Sequence, residues 1–285
     1  MKKIPYLFLI LLFSVAALYF FALPDVAALK KENPLKTSLM LLREAEWKAK
    51  GLKRTAYRVW VPYSRISPYL VKAAIIAEDD KFWSHEGFDY DAIKKAIEKD
   101  IKAGRLRAGG STISQQLAKN LFLTPEKTAL RKIREAAITW KIERTLSKRR
   151  IIELYLNVVE WGDGIYGAEA ASRHYFGKSA AELTPMEAAR LSVVLPNPRR
   201  LNASGDQRYV AARAEVVYEI MVRRGVVLPE LEEAEAEAGA GDGASAPGIE
   251  AGPVEGSATE APSGLSAPEA TGPVQDLMPE NRPKP

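Results

Sequence analysis

The sequence EDDKFWSHEGFDYDAI at residues 78–93, followed by GGSTISQQLAKNLFL at residues 109–123, decides how this chain is interpreted. The first stretch places five acids and a histidine within twelve positions, at Glu78, Asp79, Asp80, His85, Glu86 and Asp89. Carboxylates interleaved with aromatic rings are typical of a sugar-binding cleft. A Gly-Gly turn before a polar helix start is typical of an anion site. We therefore expect the chemistry of the protein to lie between these two segments.

The charge of the chain is strongly asymmetric. Its 285 residues carry a net charge of +5. Residues 226–285 hold 12 acids and 2 bases, so 24 acids and 39 bases remain in residues 1–225. The basic part suits an anionic partner such as phosphate, anionic lipid or nucleic acid. Because the chain has no cysteine, disulfides and Cys-type metal sites are excluded.

The amino terminus predicts a membrane anchor. Lys2 and Lys3 precede Ile4–Leu23, an uncharged run of twenty residues, which at ~1.5 Å per residue spans a ~30 Å hydrocarbon core. A cleaved signal peptide is the alternative, but the run is long and no clear small-x-small cleavage site follows it. The lysines should stay in the cytoplasm, which places all later residues on the outer side and removes nucleic acid as a partner.

The remaining chain predicts one mainly helical domain and a disordered tail. Residues 24–56 are interpreted as a membrane-proximal connector, with an amphipathic segment Leu35–Lys53 that either connects or lies on lipid. Residues 57–225 form the domain, and residues 226–285 are an Ala/Pro/Gly-rich acidic tail. Within the domain we predict a strand at Val59–Tyr63 and a loop at Ala103–Gly110. We also predict six helices with both ends defined: Tyr69–Ala77, Asp91–Lys102, Ala129–Leu146, Lys148–Asn157, Thr184–Leu195 and Tyr209–Arg224. Two further helices are predicted by their starts alone, one at Ser111 or Thr112 and one at Thr124.

Residue patterns alone leave the site open between functional and ordinary interpretations. Glu78 follows a predicted helix and is either a general base with a raised pKa or part of a solvated acidic turn. His85 has no second histidine nearby, which favours a structural hydrogen bond over a metal site. The basic residues Lys127, Arg131, Lys132 and Arg134 precede Glu135. They form either a solvated face or a site for a diphosphate with a divalent ion.

Five motifs in order resemble the family 51 glycosyltransferases, the peptidoglycan transglycosylases. The first two are the stretches quoted above, and the others are RKIREAAITWKIE (131–143), RRIIELYLNVVEWGDGIYGAEAA (149–171) and LSVVLPNP (191–198). The run EWGDGIYGAEAASRHYFGKSA (160–180) is similar to the monofunctional biosynthetic members in particular. The chain also ends before a transpeptidase domain could fit.

The resemblance implies a fold, a reaction and a location. The fold is mainly α and lysozyme-like, with a small membrane-proximal jaw lobe and one transmembrane helix before it. The reaction polymerises lipid II into β-1,4 glycan, with inversion. The donor is the growing chain on undecaprenyl pyrophosphate, and the acceptor is the GlcNAc 4-hydroxyl of lipid II. The location is the inner (cytoplasmic) membrane, single-pass, with the catalytic domain in the periplasm.

The resemblance also implies residue roles. Glu78 is the general base, Glu135 is the second acid near the donor diphosphate, and Lys119 stabilises the leaving pyrophosphate with Arg131 and Lys132. A weakly bound divalent cation, Mg or Mn, is the candidate cofactor. The other expected substrate-binding residues are Lys127, Gln115, Gln116, Ser111, Thr112 and Asn120.

Two positions depart from the family pattern. Lys127 stands where many members carry arginine, which keeps the charge but loses the bidentate fork. Ser114 replaces a threonine, which we expect to matter little.

The rival functions are a muramidase-type hydrolase that uses Glu78 as its acid and a non-catalytic scaffold that binds lipid II. Candidate protein partners are penicillin-binding or division proteins.

Overall fold

The computed structural model describes residues 23–103, 110–126 and 128–228. All of them belong to one compact unit. The helices are α1 (Ser38–Ala49), α2 (Pro68–Glu78), α3 (Tyr90–Ala103), α4 (Ile113–Phe122), α5 (Ala129–Thr145), α6 (Lys148–Val158), α7 (Ala168–Phe176), α8 (Pro185–Val194) and α9 (Arg208–Arg223). The strands are β1 (Tyr57–Arg58), β2 (Glu160–Gly162) and β3 (Ile165–Tyr166). The prediction of a mainly helical domain is confirmed.

The core forms around two groups of helices. Helix α2 buries a nearly continuous apolar run that includes Leu70, Ala73 and Ala74, and it packs against α8, which in turn packs against α9. Small alanines allow the helix axes to approach closely, so α2 is held on more than one side. Helix α4 packs against α5 and α6. The carboxyl end of α2 and one face of α4 are thereby fixed by core packing rather than by loops.

A small sheet replaces the strand that was predicted at Val59–Tyr63. β3 lies between β1, with which it is parallel, and β2, with which it is antiparallel. The prediction was wrong because strand formation depends on a partner: Tyr57 pairs with Ile165, whereas Tyr63–Arg65 forms a 3-10 turn after Pro62. The glycine-rich segment after α6 supplies that partner as a hairpin with a bulge between Glu160 and Gly162.

Side-chain caps fix four of the helix starts. Thr112, Thr128, Ser147 and Thr184 each accept a hydrogen bond from a backbone N–H in the first turn of the following helix. Thr124 was predicted to open a helix, but α5 begins after Thr128. Both positions are threonines ahead of a helical pattern, and only Thr128 directly precedes the run that packs on α4.

Residues that precede position 57 already form part of the apolar core. Val26 and Leu29 are buried in the same apolar cluster as the domain helices, and Arg150 donates to the carbonyl oxygens of Leu29 and Glu32. The division at residue 57 between connector and domain stays a prediction. Apart from Leu23, the predicted anchor Ile4–Leu23 lies outside the described residues. In the ranges that are described, no helix has the length and apolarity needed to cross a membrane.

Helix α3 carries its apolar stripe on the surface. The spacing of Ile93, Ile97 and Ile101 places them on one side of the helix, and α3 forms close to the limits predicted, Asp91–Lys102. Ile97 is 53% exposed and Ile101 is 74% exposed. The stripe therefore does not face the core of the domain, although helical periodicity alone would suggest a buried face.

Candidate active site

Glu78 is the last residue of α2, and its side chain is partly buried. Its Oε2 accepts a hydrogen bond of 2.6 Å from the side-chain nitrogen of Gln116. Burial raises the pKa of Glu78 above its ordinary value of 4.5, and the charge of Asp79 raises it further. The Gln116 hydrogen bond and the charge of Lys119 oppose that rise. A carboxylate whose charge is poorly solvated accepts a proton more readily, as a general base must.

The neighbouring Asp79 ties the Glu78 segment to the start of α4. Its carboxylate accepts from the backbone N–H of Ile113 at 2.9 Å and from Nε2 of His85 at 2.9 Å. Nδ1 of His85 accepts from the N–H of Gly87, so the proton of a neutral ring lies on Nε2. The interpretation of His85 as a structural hydrogen-bonding residue is confirmed.

Gly87 completes this connection, and only glycine fits there. Its carbonyl oxygen accepts from the hydroxyl of Thr112 at 2.7 Å. Its φ is +93°, and a Cβ would lie 2.9 Å from Cγ of Glu143 and 3.0 Å from Cγ2 of Thr139. A side chain at residue 87 would be strained by its backbone conformation and would also clash with α5. The loop from Glu78 to Gly87 is therefore positioned against both α4 and α5.

Helix α4 presents Gln116, Lys119 and Asn120 to one cleft, because residues three and four positions apart share a helix face. Lys119 has no ion-pair partner within 4.0 Å among the residues that the structure describes. Burial lowers its pKa, as do the charges of Arg131 and Lys132, while Glu135 and Glu78 raise it. An ammonium group in this position is stabilised by any anion that enters the cleft.

Glu135 has the opposite environment from Glu78. It is only 3% exposed, and its Oε2 lies 2.5 Å from Nη1 of Arg131. Its Oε1 forms an ion pair with Lys132, whose Nζ also lies 3.5 Å from the hydroxyl oxygen of Ser111. Both carboxylate oxygens are thus occupied by cations one helical turn away on α5. Glu135 fixes the two cations that the third motif supplies.

These groups converge on a cleft of about 420 Å³. Gln116, Lys119, Asn120 and Arg131 line it, and Glu78 lies one hydrogen bond behind Gln116. The cleft is closed on other sides by Leu39, Arg43, Pro125, Val159, Glu160, Leu195, Pro196, Asn197, Pro198 and Arg199. A poorly solvated carboxylate therefore lies one hydrogen bond from a cavity whose walls carry several cations, which suits an anionic donor and a hydroxyl acceptor.

The sequence profile of the transglycosylase family matches residues 46–222. The chain belongs to the transglycosylase family. The matched range begins inside α1 and ends inside α9. It therefore contains every residue of the cleft described above except Leu39 and Arg43.

Curated relatives agree with this family assignment. The chain is similar to a biosynthetic peptidoglycan transglycosylase of Dechloromonas aromatica (strain RCB), with 58% identity over 167 residues, 59% of this chain and 72% of the relative. It is also similar to one of Aromatoleum aromaticum (strain DSM 19018 / LMG 30748 / EbN1), with 52% identity over 216 residues, 74% of this chain and 93% of the relative. The protein of the same description from Nitrosospira multiformis (strain ATCC 25196 / NCIMB 11849 / C 71) is 46% identical over 211 residues, 73% of this chain and 92% of the relative.

The remaining predicted site residues of this transglycosylase do not lie together in the cleft. Gln115 is buried, and its side-chain oxygen accepts from the N–H of Thr112 in a capping box, so it lies in the helix start rather than in the cleft. Ser111 is exposed near Lys132. Lys127 lies outside the described residues. The substrate-binding roles of these residues stay predictions.

Sequence reasoning missed three charged residues of the cleft. Glu160 in β2 is buried, and its Oε2 lies 3.4 Å from Nε of Arg43 in α1. Burial raises the pKa of Glu160, which Arg43 and Arg199 oppose. Glu160 stands within the fourth motif, but Arg43 lies outside the matched range and Arg199 follows the fifth motif. No local pattern indicates that they meet.

The acidic-aromatic loop lines a second cavity that Glu78 does not enter. This cavity measures about 660 Å³ and is lined by Lys81, Ser84, His85, Glu86, Phe88, Asp89, Tyr90, Asp91 and Trp140. The expectation of a sugar cleft among these acids and aromatics stays a prediction. Gln116 and Lys119, which line the smaller cleft, connect Glu78 to that side instead.

Proposed function

We propose that this chain is a monofunctional biosynthetic peptidoglycan transglycosylase. It polymerises lipid II into β-1,4 glycan strands by transferring the growing chain from undecaprenyl pyrophosphate to the GlcNAc 4-hydroxyl of lipid II. The observation that carries this proposal is that Gln116 joins two features. Gln116 lines the cleft beside the cations Lys119 and Arg131, and it donates to the carboxylate of Glu78, whose pKa is raised by burial.

Glu78 acts as the general base in this mechanism. As the 4-hydroxyl oxygen attacks the anomeric carbon, its proton passes to the carboxylate of Glu78. The bond from the anomeric carbon to the pyrophosphate oxygen breaks, and its electron pair leaves with the diphosphate. Attack from the face opposite the leaving group inverts the configuration. Glu78 becomes neutral in this step, which relieves the desolvation of its charge.

Lys119 and Arg131 stabilise the leaving group. A diphosphate needs no proton to leave when cations neutralise the charge that develops on it. Lys119 gains most from that anion, because burial lowers its pKa and no described acid pairs with it within 4.0 Å. Arg131 lines the same cleft while Glu135 holds its Nη1. Glu135 therefore acts by fixing cations and not by moving a proton.

The weakly bound divalent cation, Mg or Mn, stays a prediction without a role in this mechanism. Both oxygens of Glu135 are already occupied by Arg131 and Lys132. The described ranges contain no group of three or more His, Asp or Glu residues that could hold a metal ion. The donor set near the third motif does not fit a divalent ion, because cations already occupy both oxygens of its carboxylate.

We further propose that the protein is anchored in the inner membrane by Ile4–Leu23, with its catalytic domain in the periplasm. The exposed Ile97 and Ile101 on α3, beside Lys94 and Lys102, support a membrane-facing surface there. This surface would belong to the jaw lobe of a lysozyme-like fold. Penicillin-binding or division proteins remain the proposed protein partners, and the tail 226–285 has no proposed catalytic role.

Incubation of the detergent-purified full chain with labelled lipid II tests the proposal. The expected product is a ladder of glycan chains on a gel, which lysozyme digests. Cleavage of preformed glycan without polymerisation would instead support the hydrolase. A folded protein that binds lipid II but neither makes nor cuts glycan would support the scaffold. Either result would overturn the transglycosylase proposal.

A further inference from the structure

Tyr155 lies fully buried on α6 and has no part in the mechanism above. Its hydroxyl lies 3.2 Å from Oε1 of Gln116. Nε2 of the same amide lies 2.6 Å from Oε2 of Glu78. The three side chains therefore form a chain of hydrogen bonds that starts in the core and ends on the proposed base.

The direction of both hydrogen bonds is determined by chemistry. An ionised carboxylate only accepts, so the amide nitrogen of Gln116 must face Glu78 and the amide oxygen must face Tyr155. The tyrosine hydroxyl must then donate. Burial, together with the charges of Glu78 and Asp79, holds the pKa of Tyr155 well above its ordinary value. Tyr155 therefore keeps its proton and remains a donor at neutral pH.

We propose that Tyr155 is a positioning residue, which fixes the amide of Gln116 so that its nitrogen always faces Glu78. This inference rests on the proposed role of Glu78 as the general base. Without the hydroxyl, the oxygen of Gln116 loses its donor and the amide is no longer held in one orientation. A carboxylate that faces an amide oxygen is repelled, so Glu78 is both less well aligned and less readily ionised.

The alternative is that Tyr155 is a core residue that only fills space. Its ring is fully buried and would contribute to stability in either case. The two explanations differ in what removal of the hydroxyl alone should do. A packing role predicts lower stability and an unchanged reaction, whereas the positioning role predicts a change in the pH dependence of the rate.

Tyr155→Phe in the full chain, assayed with labelled lipid II in detergent, tests the inference. We expect kcat to fall roughly fivefold to tenfold, the effect of one lost hydrogen bond to a charged network. KM should change little, and the acid limb of the pH profile should move to higher pH because the Gln116 hydrogen bond that lowers the pKa of Glu78 is weakened. Tyr175→Phe is the matched control, since its hydroxyl donates to the carbonyl oxygen of Trp161. Its profile should match that of the wild type.

A double-mutant cycle with Gln116→Leu separates this inference from the proposed function. If Tyr155 acts through Gln116, adding Tyr155→Phe to Gln116→Leu should lower the rate by less than about twofold. Independent, multiplying effects would overturn the inference, as would a wild-type pH profile for Tyr155→Phe. Neither result would affect the proposed function, provided that the wild-type enzyme still polymerises lipid II and Glu78→Gln does not. Full activity in Glu78→Gln would instead overturn the role of Glu78 as the base, and a wild-type chain that makes no glycan would overturn the proposed function itself.

Discussion

Glu78 and Glu135 each bind a side chain that lines the cleft, Gln116 and Arg131 respectively, but their environments are opposite. Glu135 is buried, with a cation on each oxygen, Arg131 on one and Lys132 on the other. Glu78 has one neutral donor, Gln116, and its pKa is raised by burial. Two identical side chains therefore have different chemistry available to them. The carboxylate that lacks cationic partners can accept a proton, and the paired one holds the cations that receive the leaving group.

The largest expected effect is the loss of the base. Glu78→Gln should lower the rate of lipid II polymerisation on the order of 10³-fold, because no other group replaces the proton acceptor. The protein should remain folded, as followed by circular dichroism. Glu219→Gln, an exposed substitution on α9, is the control and should keep the wild-type rate. Substantial residual activity in Glu78→Gln would end the assignment of Glu78 as the base.

The second expected effect is the loss of Lys119, the cation whose pKa both glutamates raise. Lys119→Ala should lower kcat by about 10²-fold, because Lys119 is positioned to stabilise the leaving diphosphate. Lys132→Ala should have a smaller effect, since its side chain is about half exposed and already paired with Glu135. Gel-based rates of both variants provide the comparison. A larger loss for Lys132→Ala would reverse the assigned roles.

The third effect is on stability and distinguishes the two glutamates directly. Glu135→Gln leaves Arg131 and Lys132 without their shared anion, so the free energy of unfolding should fall by about 2–4 kcal/mol. Glu78→Gln removes a poorly solvated charge and should not destabilise the protein at neutral pH. Thermal unfolding of both variants measures the difference. Equal destabilisation by the two substitutions would contradict the contrast.

The difference in stability between Glu78→Gln and the wild type should also depend on pH. Because the pKa of Glu78 is raised in the folded state, the folded protein binds the proton more tightly than the unfolded chain. The stability from this group is fully present below the ordinary value of 4.5 and is lost as pH rises through the folded pKa. The melting temperature of Glu78→Gln relative to wild type should therefore increase over that window. A difference that is constant with pH would mean that the Glu78 carboxylate is well solvated.

The smallest effect compares the caps of the two helices that carry the site. Thr128→Ala should cost about 1 kcal/mol, the usual effect of losing a helix cap. Thr112→Ala should cost more and lower the rate severalfold, since Thr112 also binds the carbonyl oxygen of Gly87 and so positions the Glu78 segment. Chemical denaturation and the polymerisation assay measure both. Equal behaviour of the two variants would mean that the contact with Gly87 is without consequence.

The sequence allowed the helices and the main charged residues to be predicted, because their signals are local. The caps at Thr112 and Ser147, the end of α2 at Glu78 and the i, i+3 and i+4 partners of Glu135 all follow from short spacings. Local patterns cannot identify contacts between distant segments. Tyr155 meets Gln116 across 39 positions, and Arg43 meets Glu160 across 117.

Gln115 and Gln116 show the same limit on the scale of one helix turn. Both were predicted to bind substrate, and adjacent residues on a helix point in directions about 100° apart. Gln116 faces Glu78 and the cleft, while Gln115 turns back to cap its own helix. Deciding between them requires knowing which face of α4 packs on α5 and α6, and that depends on the tertiary structure.

The pH dependence of kcat/KM for lipid II polymerisation by the full chain tests the central claim most directly. This quantity reports the ionisation of groups in the free enzyme. We predict an acid limb whose midpoint lies above 4.5, the ordinary pKa of a glutamate, because the base is the desolvated Glu78. A rate that stays constant down to or below that pH would contradict the account, since a well-solvated carboxylate or another group would then be the base.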